Sequence, residues 1–127
     1  MQHILAAIDF SDASLRALAK AAALARQSGA HLRLLHVLDG YPNEAVYSGS
    51  RAFRLMDSFR GHVARANREL RALIPPDAVT SSKIEVATVS GRAPEAILAA
   101  ASERPTDLIV LGLPGRSEAR HDADNGR

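Results

Sequence analysis

The chain has 127 residues, the size of one domain with room for a real core, and its 46% hydrophobic and 24% charged residues are ordinary for a globular protein. Sixteen Lys and Arg against fourteen Asp and Glu leave a formal charge of 16 − 14 = +2, too little to argue for nucleic acid. The lack of cysteine excludes disulfides, thiol chemistry and Cys-based zinc or iron–sulfur sites, and no apolar run approaches the ~20 residues of a membrane span.

A cysteine-free chain fits a reducing compartment. The N-terminus runs straight into an apolar strand pattern, with no basic segment or small-residue cleavage site, so the expected location is cytoplasmic. His3 to Ile8 reads as a strand buried on both faces. Ser11 or Asp12 then caps a helix with the stripe Leu15, Leu18, Ala22 and Leu24–Ala25, and Ser28-Gly29 ends it. Leu32 to Leu38 is a second strand, and Asp39-Gly40-Tyr41-Pro42-Asn43 a loop. A long helix spans about Ser50 to Leu73, with Phe53, Met56, Phe59, Val63, Ala66, Leu70 and Leu73 on one face. Pro75-Pro76 stops it.

Ile84 to Val89 is a third strand, Gly91 turns the chain, and Pro94 opens a helix to about Glu103 that is expected to bury Ile97, Leu98 and Ala101. Leu108 to Leu111 is a fourth strand. The order β-α-β-α-β-α-β predicts an α/β fold with an open parallel sheet and right-handed crossovers. Residues 1–116 form the expected domain. Residues 117–127 contain no Leu, Ile, Val or aromatic residue and are expected to be a disordered polar tail.

In such a sheet the loops after Ile8 and after Leu111 both emerge at the carboxyl edge, where open α/β folds bind ligands. The carrying segments are Ile4-Leu5-Ala6-Ala7-Ile8-Asp9-Phe10-Ser11 with Ser14, Leu34-Leu35-His36-Val37, Gly91-Arg92-Ala93-Pro94 with Ile97, and Asp107-Leu108-Ile109-Val110-Leu111-Gly112 with Gly115-Arg116. In this order and spacing they resemble the universal stress protein family. The resemblance implies a Rossmann-like fold, a homodimer, and in one branch of the family ATP, with Mg2+ as its optional companion. It implies Asp9 and Val37 for the adenosine pocket, and Gly112 and Gly115 near the ribose and phosphates. The family's glycine loop is Gly-x-x-Gly, nine residues, then Gly and Ser or Thr.

Here ten residues separate Gly115 from Gly126 (126 − 115 − 1 = 10), Arg127 stands in place of Ser or Thr, and position 114, often histidine in the family, is Pro114. The family's last helix and fifth strand have no counterpart. A triphosphate needs several convergent backbone N–H groups, so adenosine contacts can survive while the phosphate grip weakens. Arg116, Arg120 or Arg127 would supply charge, and loss of the fifth strand leaves the fourth as a sheet edge open to another chain.

Each residue also has a plainer reading. Asp9 holds a nucleotide or closes a turn. Gly112 and Gly115 admit phosphate or only make a turn, and a lone G-x-x-G is weak evidence. His36 reads as a hydrogen-bonded core histidine. His31 and His36 fall on opposite strand faces, so no shared metal is expected. Arg51, Arg54, Arg60, Arg65, Arg68 and Arg71 read as a solvated helix face. No nucleophile–His–acid set is legible, and Lys83, at the start of a strand, argues against a phospho-receiver. The leading expectation is a stress-response protein binding adenine nucleotide as a sensor or regulator. The alternative is a nucleotide-free dimeric interaction module, and the least favoured is an enzyme, at most a slow ATP hydrolase.

Overall fold

Among the described residues, four parallel strands and three helices follow one another in the predicted order. The computed structural model describes residues 1–39, 49–75 and 83–112, with the side chains of residues 49–53 excepted. The elements are β1 (His3–Ala7), α1 (Asp12–Ser28), β2 (His31–Leu38), α2 (Gly49–Ala72), β3 (Ile84–Ser90), α3 (Ala93–Glu103) and β4 (Leu108–Leu111). The sheet order is β3-β2-β1-β4, and every pairing is parallel.

The chain steps from β1 to β2 to β3 in one direction and then crosses back past β1 to β4. Under the right-handed crossover rule that reversal moves the connecting helix to the opposite face. The packing agrees. Ile4, Ala6, Leu32 and Leu34 meet α1 and Leu70 of α2 on one face, while Leu5 and Leu35 meet Ala100 of α3 on the other. The sheet is therefore doubly wound, and its topological switch point lies between β1 and β4.

Helix α1 packs through a stripe the sequence reading only partly found. Its buried residues are Ala13, Ser14, Ala17, Leu18, Ala21, Ala22 and Ala25, whereas Leu15 and Leu24 are only half-buried. Alanines let the helix axis sit close to the sheet, and an alanine-rich helix carries too little periodic contrast to reveal its inner face. Ser11 rather than Asp12 is the N-cap, its Oγ accepting from Ser14 N at 3.2 Å, and Gly29 ends the helix at φ +72°. In α3, Ala100 is buried and Ile97 and Ala101 half-buried, but Leu98 is 63% exposed, against expectation. The 97–100–101 spacing defines the face on the sheet, and position 98 turns about 100° away from it. Arg54, Arg60, Arg65, Arg68 and Arg71 are solvent-exposed, as expected of a solvated helix face. Among the described residues no helix is long and apolar enough to cross a membrane.

At the amino edge Asp107 ties β4 to β1. Its Oδ2 accepts from Gln2 N at 2.7 Å and His3 N at 2.9 Å, and these two bonds hold its carboxyl below the ordinary value. A carboxylate depressed in the fold stabilises above its unfolded pKa and loses that contribution as pH falls through the folded one. The difference in urea midpoint between wild type and Asp107→Ala is therefore expected to be full at neutral pH. It should shrink only below the ordinary aspartate value of 3.8. A difference that is flat down to pH ~2 would remove the charged bond from this account.

Candidate functional site

A cavity of about 380 Å³ opens at the carboxyl edge of the sheet, at the switch point, within the range typical of small-molecule sites, ~300–1,000 Å³. It is lined by the ends of β1, β2 and β4 and the first turn of α3. Three of the sequence candidates, Asp9, Val37 and Gly112, meet there. Gly115, Arg116 and Gly126 lie outside the described residues, as do Arg120, Arg127 and the expected tail, residues 117–127.

Asp9 sits just past β1 and does close a turn. Its Oδ1 accepts from Ser11 N at 2.9 Å, and its own N–H donates to Ser14 Oγ at 3.3 Å. The Ser11 bonds are the main reason its carboxyl is held below the ordinary value. The turn does not exhaust the residue, because a carboxylate offers about four acceptor sites over its two oxygens. Asp9 is solvent-exposed, so its remaining capacity faces the cleft mouth.

The residue spanned by this turn is Phe10, at φ +67°. A bulky side chain in the left-handed region is strained, by roughly 1–3 kcal/mol. The strain is held in place from below. The Phe10 ring lies 4.8 Å from the His36 ring, and His36 Nδ1–H donates to Ile8 O at 2.7 Å. His36 is thus the half-buried, hydrogen-bonded histidine the sequence suggested. It anchors the end of β1, while His31 lies at the opposite sheet edge against His3.

Val37 is half-buried in the apolar cluster beneath α3 and also lines the cleft. Gly112 has a packing role the sequence did not reveal. A Cβ there would stand 2.4 Å from Ala13 C, Ala13 O and Ser14 N, in the first turn of α1. The end of β4 passes so close under that helix that only glycine fits. Gly91, at φ +133°, turns the chain out of β3 as expected, its N–H donating to Leu38 O at 3.1 Å.

The structure adds lining residues that were not among the candidate site residues. Asp39, at the end of β2, is a second carboxylate on the cleft, and Pro94 and Ile97 of α3 form its apolar wall. Asp39 had a signal in hindsight, since it follows β2 as Asp9 follows β1. Pro94, in the first turn of α3, has no N–H to offer an anion. The described lining is thus apolar, with two carboxylates and no cation. That suits a purine ring and ribose hydroxyls. It does not by itself suit a triphosphate, whose charge needs Mg2+ or residues beyond Gly112. Among the described residues no three His, Asp or Glu are grouped to hold a metal ion.

Fold and cleft define a doubly wound, Rossmann-like α/β protein with a cleft at the switch point. The universal stress protein family model matches residues 1–122, and the chain belongs to that family of stress-response proteins. A universal stress protein from Lactobacillus plantarum is 25% identical, with a TM-score of 0.68 over 91% of this chain and 81% of that one. A family member from Burkholderia pseudomallei is 26% identical, with a TM-score of 0.62 over 96% and 90%. A universal stress protein solved in complex with cAMP shares the fold at 23% identity and a TM-score of 0.56, over 86% and 74%. None of the curated proteins matches the chain.

Proposed function

We propose that the carboxyl-edge cleft binds an adenine nucleotide and that the chain serves as a cytoplasmic sensor or regulator in the stress response. The observation that carries this reading is the convergence of Asp9, Val37 and Gly112 on one cavity, although they lie on or just past three strands separated in sequence. In this reading the base packs on the apolar wall of Val37 and Ile97, and Asp9 accepts from a ligand hydroxyl. Gly115, Arg116 and Gly126 would reach the phosphates.

The test is isothermal titration of ATP with Mg2+, and separately of cAMP, into wild type, Asp9→Ala and Asp9→Asn. Asparagine keeps an oxygen for the Ser11 N–H and so preserves the turn. The expected result is binding in wild type and a loss of roughly tenfold or more in both variants, the worth of a hydrogen bond to a charged group. Weak binding in Asp9→Ala with wild-type affinity in Asp9→Asn would reduce Asp9 to its turn. No heat at millimolar nucleotide would end the reading.

A second reading, a dimeric interaction module without nucleotide, is favoured by β4. This strand is an edge of the described sheet, and Leu111 on it is 45% exposed. Edge strands with exposed apolar residues invite pairing with another chain. Light scattering that finds only monomer at high concentration would count against it.

A further inference from the structure

A second cavity, of about 190 Å³, lies at the amino edge of the sheet, at the opposite end of the strands from the cleft. It is below the ~300 Å³ of ordinary small-molecule pockets, yet several times the ~30 Å³ share of one water. Its lining draws on the starts of β1, β2 and β3 and on the turn after α3.

Among the described lining residues the charge is mostly positive, with the Asp107 carboxylate standing beside it on His3 N. His3 and His31 are register partners on β1 and β2, with ring centroids 5.2 Å apart. Lys83, Arg33 and Arg104 line the same space, and Glu85 is the only carboxylate among its described lining residues. With both imidazoles neutral the balance is 3 − 1 = +2. Glu85 is already ion-paired with Arg104, and no described carboxylate pairs with Lys83. Arg33 is only 9% exposed, and its Nη2 donates to Ala100 O in α3. Glu103 stands 3.9 Å from Arg33 Nη1, but its side chain is 71% exposed. A largely buried guanidinium behind an ammonium that pairs with no described carboxylate raises the local potential over a small concave surface, which focuses counter-ions, and the two imidazoles add ring N–H donors.

We propose that this amino-edge pocket is a second binding site, and that it takes a small tetrahedral oxyanion such as sulfate, inorganic phosphate or the phosphate end of a monoester. Lys83 and His31 donate to the anion from the rim, His3 donates from beside it, and Arg33 supplies a fixed positive charge from below. The site lies at the opposite end of the strands from the carboxyl-edge cleft and shares no lining residue with it. It does not depend on the nucleotide reading.

The test is a sulfate titration of the full chain, followed by NMR of the imidazole C–H signals, with chloride at matched ionic strength as control. Saturable shifts of His3 and His31 with sulfate alone are expected. The exposed-site double variant Lys83→Ala/His31→Gln should weaken binding by about tenfold or more. Asp9→Ala should leave it unchanged. Tighter binding of glycerol phosphate than of inorganic phosphate assigns the site to a monoester, and the reverse assigns it to the free ion; either supports an oxyanion site. Shifts that chloride reproduces would overturn the proposal. So would Zn2+ binding between His3 and His31 at micromolar levels with no response to sulfate.

Discussion

Gly112→Ala is expected to destabilise the folded chain by about 3 kcal/mol or more, at the upper end of the cost of overpacking. The added methyl group would stand 2.4 Å from three backbone atoms of Ala13 and Ser14. Backbone cannot rotate aside as a flexible side chain can, so either β4 or the first turn of α1 must move by about 1 Å. Neither is free to do so. The first turn of α1 is fixed by the Ser11 cap and by the bond from Asp9 N to Ser14 Oγ. Below it, Ala13, Ser14, Ala17 and Leu18 are buried. β4 is locked in register to β1 from Ile4↔Leu108 to Ala7↔Leu111. The loss should appear as a thermal midpoint lower by about 10 °C and a reduced urea midpoint, without any nucleotide present. A variant within about 0.5 kcal/mol of wild type would show that the two elements are looser than this geometry. The expected result also separates two roles. Gly112 is needed by the fold whether or not a phosphate approaches it, so a lost nucleotide affinity in Gly112→Ala would not identify a phosphate contact.

How far the sequence foretold this arrangement depended on what kind of signal each residue carries. The strands were legible because continuous apolar runs such as Leu108–Leu111 bounded by polar residues and glycine admit few other readings, and β4 agrees with its expected limits. The alternation of helix and strand then left the parallel sheet as the economical outcome. Asp9, Val37 and Gly112 could be brought to one edge because parallel strands put all their C-terminal ends together. What remained hidden was tertiary. Phe10 gives no hint of its left-handed conformation, since the usual signals are glycine and asparagine. The inner face of α1 was blurred by alanine on every side. Leu98 was expected to be buried with its neighbour Ile97, yet Ile97 is half-buried and Leu98 exposed, and only the placement of α3 on the sheet distinguishes the two. Gly112 looked like a loop glycine, and its meaning lies in a helix almost a hundred residues away in sequence.

Arg33 should separate packing from charge. Arg33→Ala is expected to cost about 3 kcal/mol, because it leaves a cavity between β2 and the last turn of α3 that the sheet cannot collapse to fill. Arg33→Met, which keeps most of the volume, is expected to stay within about 1 kcal/mol of wild type. Burying a guanidinium carries a desolvation cost of several kcal/mol. Against it stand the bond to Ala100 O, the negative end of the α3 dipole and the distant, exposed Glu103. Glu103→Gln should accordingly change stability by less than about 0.5 kcal/mol. Chemical denaturation of the three variants tests this order directly. If Arg33→Met loses as much as Arg33→Ala, the charged bond itself stabilises the α3 packing. If the methionine variant is nearly as stable as wild type, stability does not account for a cation buried beneath the sheet's amino edge. Its charge is then expected to act on the pocket above it, and sulfate affinity should fall in Arg33→Met while the fold is retained.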